Sequence, residues 1–359
     1  MSTVPLTTGP GLRIRADLAV RGARMVAPVT RRAGAGPSDD GHVSIVGNGA
    51  TIPLNPLSEY AIEGDRVFLE GEDTGLEVHP VARPRFYDLT TADGISYEKI
   101  ARLHGTSVLA TTVIQRCIRY SQSQRCRFCT VEESLYAGDT IGVKSPEQLA
   151  EVAAAAVRLD GVTQLVMTTG TTNGKDRGAA HLVNCVRAVK SAVPQLPIQV
   201  QCEPPADMAV ISDLKAAGAT AIGIHVESMN DAVRRAWMPG KATVRLAEYR
   251  AAWTEAVRVF GRNRVSTYLL IGLGETADEL ARAASELIDM GVYPFVVPFR
   301  PLAGSLASSD GAAPPDADLV AGVTARVAEL LRQAAMTGAD QQAGCAACGA
   351  CSLLSAAGA

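Results

Sequence analysis

From Ser107 onward the chain alternates six short apolar runs with amphipathic stretches of helix length, and few folds accept that pattern. The strand-length runs are Ser107–Gln115, Gln164–Thr169, Ile198–Cys202, Ala221–Glu227, Val265–Gly272 and Phe295–Pro298. Helical periodicity covers Pro146–Leu159, Ala179–Val193, Ala206–Ala217, Val244–Val259, Ala277–Met290 and Asp316–Gln333. Ser145 before Pro146 reads as a helix start, and Gly218 and Gly291 follow helix ends. Near-continuous apolar strands separated by helices imply a parallel sheet covered by helices. Six such units fall short of a closed eight-fold barrel. The expected class is therefore α/β, a partial (βα)6 TIM-type barrel, with a doubly wound sheet as the alternative.

Residues 1–100 differ in texture, being rich in Gly and Pro with short β-branched runs such as His42–Val46 and Arg66–Leu69. Turn signals such as Gly47-Asn48-Gly49 separate them, and a short helix over Ser96–His104 is expected to join this unit to the core. The expected organisation is a small β-rich N-terminal unit (1–100), the partial barrel (101–335) and a cysteine-bearing C-terminal tail (336–359). A net charge of −3 over 359 residues gives no reason to expect nucleic acid or an anionic membrane as partner. No secretory h-region and no run of 18 apolar residues is present, so a cytoplasmic protein is expected.

Six of the eight cysteines fall in two groups, Cys117/Cys126/Cys129 and Cys345/Cys348/Cys351, while Cys185 and Cys202 stand alone. Clustered thiolates in a reducing cytosol point to metal or redox chemistry, with zinc, copper(I) and iron–sulfur clusters as the candidates. No histidine lies between Cys117 and His181 to complete a zinc site with the first group. Three thiolates suit a [4Fe–4S] cluster with one iron left open. The connection Arg116–Ser145 follows the first strand and is far longer than the usual two to six residues, and chemistry in such folds sits on loops of this kind.

The segment Cys126-Arg127-Phe128-Cys129 resembles the second half of the radical SAM (S-adenosylmethionine) signature, although the spacing here is C-x8-C-x2-C instead of C-x3-C-x2-C. Leu270-Ile271-Gly272-Leu273-Gly274-Glu275-Thr276 resembles the I-x-G-L-G-E-T segment of biotin synthase and its relatives. Ile224-His225-Val226-Glu227-Ser228 falls where those relatives carry N-x-D-T or N-x-E-T, and Met167–Thr172 where a short polar segment holds the SAM amino group. The chain is thus similar to the biotin synthase-like branch of the radical SAM superfamily, and to the family encoded in bacterial nitrilase gene clusters.

That resemblance implies a [4Fe–4S] cluster on Cys117, Cys126 and Cys129 that binds SAM. It implies SAM contacts from Phe128, Leu270 and Gly272, from Thr169 and Gly170, and from His225 and Glu227 on one strand face at the ribose. Arg300 is a candidate to grip a carboxylate of SAM or substrate, with a structural ion pair as its other reading. Arg116, Arg119, Arg125 and Arg127 either offset thiolate charge or are solvated, and Glu203 is read as a solvated carboxylate or an extra polar contact. The implied activity is reductive cleavage of SAM to methionine and a 5′-deoxyadenosyl radical, which takes hydrogen from a small-molecule substrate. A one-electron donor such as flavodoxin or ferredoxin is implied as partner. The residues that act on the substrate are not indicated. Of the cysteines and arginine that hold a second, sulfur-donating cluster in biotin synthase, only Cys202 has a counterpart, so sulfur insertion by that route is not expected.

The tail's C-x2-C-x2-C spacing resembles ferredoxin-type sites and suggests a second iron–sulfur cluster. Its fourth position is left to Cys202, another side chain, water or substrate, and the alternative is a flexible tail. Two further readings remain: an iron–sulfur carrier or scaffold without SAM chemistry, and a zinc-stabilised barrel with a binding role.

Overall fold

The computed structural model describes residues 10–25, 42–46, 51–80 and 82–358; the Gly47-Asn48-Gly49 turn signal lies outside them. The first described element is a helix, α1 (Pro10–Arg21), where only strands and loops were expected. Proline suits its first turn, and Leu12, Ala16 and Ala19, spaced by four and three residues, form a buried stripe. Its short, arginine-interrupted stripe carries little periodic signal; burial against a later helix, α12 below, supplies what propensity does not. A six-stranded sheet follows, built from β1 (Arg24–Met25), β2 (His42–Ile45), β3 (Thr51–Pro53), β4 (Tyr60–Glu63), β5 (Arg66–Leu69) and β6 (Glu72–Pro80), in the order β1-β4-β5-β6-β2-β3. The turn between β5 and β6 takes positive φ at both Glu70 (50°) and Gly71 (87°), the twist a two-residue hairpin prefers.

The helix expected over Ser96–His104 is only the single turn α2 (Tyr97–Ile100), and the chain then becomes strand β7 (Arg102–His104). Ala101 and Leu103 are buried while Arg102 and His104 are half-buried, a two-residue alternation that overrides the helical reading. β7 pairs antiparallel with β8 (Val108–Thr112). From there every step is parallel: β9 (Gln164–Thr168), β10 (Ile198–Gln201), β11 (Ala221–Gly223), β12 (Val265–Ile271) and β13 (Val292–Pro298), in the sheet order β13-β12-β11-β10-β9-β8-β7. β8 and β13 do not pair, so the sheet is a partial (βα)6 barrel with an open side.

Helix α3 (Glu133–Tyr136) lies in the long loop after β8. The barrel helices are α4 (Pro146–Asp160), α5 (Ala179–Ala192), α6 (Ala209–Ala216), α9 (Leu246–Phe260), α10 (Ala277–Asp289) and α12 (Ala317–Gln333). Short helices α7 (Asp231–Trp237) and α8 (Pro239–Ala242) follow β11, and α11 (Leu306–Ser309) follows β13. Capping boxes start α4 (Ser145 with Gln148) and α10 (Thr276 with Glu279), so part of the Gly-Leu-Gly-Glu-Thr run serves as a helix start. One buried apolar cluster runs from α1 and the N-terminal sheet through the barrel to Leu353 and Leu354.

The tail is anchored rather than loose. Gly344 N–H donates to Gln164 Oε1 (2.7 Å), Gln199 Nε2 to Gln341 Oε1 (3.3 Å), Asn263 Nδ2 to the Thr337 carbonyl (3.0 Å) and Ser352 Oγ to the Val296 carbonyl (2.7 Å). Gln164, Gln199 and Asn263 sit at or near the starts of their strands, so the tail closes the N-terminal end of the barrel. A Cβ on Gly344 would stand 2.2 Å from the Gln199 side chain, and φ there is 110°, so glycine is required. The tail's own short helix, α13 (Cys345–Cys348), carries two of the three cysteines.

Candidate active site

The Arg116–Ser145 loop leaves the C-terminal end of β8 and is clamped by the α7–α8 segment. Arg127 N–H donates to the Trp237 carbonyl (2.7 Å) and Gly240 N–H to the Gln124 carbonyl (2.9 Å). Cys126 and Phe128 pack against Met238, Leu270, Leu273 and Phe299. Cys117 N–H donates to Glu132 Oε1 (3.0 Å), and Cys129 N–H to the Cys126 carbonyl (3.0 Å). Burial pushes the Cys129 thiol up to about 11, with the charge of Cys117 adding to it, and burial raises Cys126 well above its ordinary range with Cys129 adding. The three thiols are therefore close electrostatic neighbours in a poorly solvated place.

A chamber of about 500 Å³ opens below this loop. Phe128 and Cys129 line it near the strand C-termini, Glu227, Leu270 and Arg300 line its walls, and Cys345, Cys348 and Cys351 line it at the tail. Tyr268 Oη donates to Cys345 Sγ (2.7 Å) and Gln201 Nε2 to the same sulfur (3.3 Å). Burial raises the Cys348 thiol above its ordinary range, and Cys351 and Cys345 add to the shift. Among the described residues no three His, Cys, Asp or Glu side chains converge closely enough to hold a single metal ion. Each triad gathers three half-buried soft donors, a donor set of the kind an iron–sulfur cluster, whose ligands are spread wider than those of one tetrahedral zinc, would take.

Cys202 is buried and does not line the chamber, whereas all three tail cysteines do; burial pushes its thiol up to about 12.

Other expected residues are placed less simply. β11 ends at Gly223, short of the expected Glu227, and Glu227 takes a left-handed φ of 63°. The strand alternation that put His225 and Glu227 on one face therefore fails. His225 stacks on Tyr268 with ring centroids 4.0 Å apart, both its nitrogens buried without a partner; burial lowers it to about 3, so it is neutral. Thr169, Gly170, His225 and Gly272 do not line the chamber. Gly170 N–H donates to the Ile114 carbonyl (2.8 Å), and a Cβ there would stand 2.1 Å from the Arg116 carbonyl. We expect Gly170→Ala to push the cysteine loop off β9 and cost about 1–3 kcal/mol of stability, measured as a shift in the urea midpoint.

Sequence reasoning missed Lys241, whose Nζ donates to both oxygens of Glu227 (2.8 and 2.6 Å) in a buried pair. Burial raises the Glu227 carboxyl above its ordinary range, and Glu227 holds the Lys241 ammonium above its own against the pull of burial. A Pro-Gly turn precedes Lys241, but no spacing rule links it to Glu227. Glu203 is buried, not solvated: Arg119 grips it with Nε–Oε1 and Nη2–Oε2 both 3.0 Å, and Thr171 Oγ1 donates to it at 3.0 Å. Arg125 pairs with Glu133 (3.6 Å) and Arg127 with Asp310, so these loop arginines brace the loop through carboxylates. Among the described residues Arg300 forms no ion pair; its Nε donates to the Ala19 carbonyl of α1 (2.6 Å).

Residues 123–287 match the family model described as the Radical SAM superfamily. That segment is a radical SAM domain. The match begins beyond Cys117 and takes in Cys126, Cys129, Glu227 and Lys241. The chain is 28% identical over 178 residues to a lipoyl synthase of Marinobacter nauticus, covering 47% of each chain. It is 28% identical over 239 residues to the bacteriochlorophyllide c C-7(1)-hydroxylase of Chlorobaculum limnaeum, covering 60% of this chain and 57% of that one. The chain thus spans about half the length of the curated relatives it matches. Among solved structures, the FeFe-hydrogenase maturase HydG from Carboxydothermus hydrogenoformans superposes with a TM-score of 0.47 at 21% identity, over 64% of this chain and 52% of that one. Radical SAM enzymes use a [4Fe–4S] cluster and SAM, and among the described residues no helix is long and apolar enough to cross a membrane.

Proposed function

We propose that this radical SAM enzyme holds its SAM-binding cluster on Cys117, Cys126 and Cys129 and a second cluster on Cys345, Cys348 and Cys351, with a small substrate between them. The observation that carries this reading is the single chamber with Cys129 at the strand C-termini and all three tail cysteines at the other end. When bound, the first cluster supplies the electron, drawn from a donor such as flavodoxin or ferredoxin, that cleaves SAM and yields a hydrogen-abstracting radical.

The chain's own residues position and enclose. Phe128 and Leu270 give SAM an apolar wall. Glu227 accepts from the ribose hydroxyls with the lone pairs that Lys241 leaves, and Lys241 offsets part of the cost of burying that carboxylate. The Arg119–Glu203 pair ties the cysteine loop to the end of β10, which holds the thiols over the chamber. The docked tail shuts the far end against water, as radical chemistry requires.

Glu227→Ala is expected to weaken SAM binding by about 1–3 kcal/mol, the scale of a charge-assisted hydrogen bond, with iron content unchanged. Anaerobic equilibrium binding measures this, and an unaltered affinity removes Glu227 from the SAM site. The reading as a whole is tested by the electron paramagnetic resonance spectrum of the reduced protein. Added SAM should change the signal of the Cys117/Cys126/Cys129 cluster; a spectrum indifferent to SAM contradicts the proposal.

A further inference from the structure

The chamber is lined by a buried lysine, Lys144, that no carboxylate among the described residues neutralises. Lys144 ends the cysteine loop, its backbone N–H donating to the Val113 carbonyl (2.9 Å) and its carbonyl 2.9 Å from His181 Nε2. The residue is 4% exposed and lines the chamber beside Ile100, Thr111, Gln115 and Thr140. Its Nζ donates to Thr111 Oγ1 (3.0 Å), whose own hydroxyl donates to the Ile100 carbonyl (2.6 Å). An ammonium has three N–H donors, and among the described residues this hydroxyl is the one side-chain partner it meets.

Lys241 makes the contrast plain: equally buried, it is chelated by Glu227. Among the described residues Lys144 has no carboxylate in ion-pair range, and the one charge that acts on it is Arg102, another cation. Glu98 and Asp139 line the same chamber, but Glu98 pairs with Arg83 (3.2 Å) and neither acts on Lys144. Burial pulls the lysine down to about 7, the response of a cation that lacks its counter-ion. Arg300 lines the chamber as well, its Nε spent on the Ala19 carbonyl and no carboxylate paired with it. A buried lysine without a counter-ion is costly to keep charged, and an anion in the cavity would supply the missing charge and hold it as the ammonium.

We propose that Lys144, oriented by Thr111, anchors an anionic group, carboxylate or phosphate, of the substrate. The inference rests on the chamber being the substrate site and narrows its occupant to small acids.

The test is calorimetric titration of the full chain under anaerobic conditions with acetate, succinate and inorganic phosphate, and with neutral succinamide as control. At least one anion should bind saturably to the wild type and at least tenfold more tightly than succinamide, and Lys144→Met should lose that preference by tenfold or more. The tighter of carboxylate and phosphate identifies the group. Equal binding by Lys144→Met, or no anion preferred over succinamide, overturns the proposal. If Lys144→Met does not fold, carbamylation of wild-type Lys144 by cyanate, followed by peptide mass, replaces it. The preferred anion should slow the reaction several-fold where succinamide does not, and an unchanged rate overturns the proposal. The wild type's SAM cleavage without added substrate is measured in parallel: its absence counts against the radical SAM reading and leaves the anion result to stand by itself.

Discussion

We expect Cys117→Ala, Cys126→Ala and Cys129→Ala each to abolish 5′-deoxyadenosine formation and to lose the SAM-responsive cluster. The effect is the largest expected because each thiol is one of only three in its set. Cys117 is the most informative of the three. It lies outside the matched domain segment and at a C-x8-C spacing, yet its charge acts on Cys129 and its N–H is held by Glu132. Retained cluster and turnover in Cys117→Ala would show that another residue is the third ligand.

The second large effect belongs to the tail. Cutting the chain after Asp340 would also remove Leu353, Leu354 and Ala356, which are buried in the core, so truncation would confuse loss of a cluster with loss of the barrel floor. Replacing Cys345, Cys348 and Cys351 together with alanine keeps those anchors. Iron after anaerobic reconstitution should fall by about four per chain while SAM is still cleaved in the absence of substrate. Unchanged iron would mean that the triad carries no cluster and that Tyr268 and Gln201 hold Cys345 for packing alone.

The barrel was legible because its strands are apolar throughout and its helices amphipathic, so two different periods mark the same boundaries. The ends were less so. α1 stayed hidden because its arginines interrupt a short buried stripe, and β7 because a three-residue edge strand carries almost no pattern. At the site, the cysteines announced themselves by spacing, whereas the ion pairs did not. Lys241 meets Glu227 only because the chain leaves β11 early and turns through a left-handed residue. Arg119 meets Glu203 across 84 residues of sequence, a distance no local rule spans. The docking of the tail was not legible because it lacks helical or strand period; its order comes from glutamine side chains at the strand starts that bind its backbone.

The most direct measurement is anaerobic reconstitution of the full chain with iron and sulfide, reduction in the presence of SAM, and quantification of 5′-deoxyadenosine and methionine. A brown protein that forms both in equal amounts, and forms neither when Cys126 and Cys129 are alanine, is the predicted result. A brown protein that leaves SAM intact under reduction, or a colourless protein that binds zinc instead of iron, would contradict it.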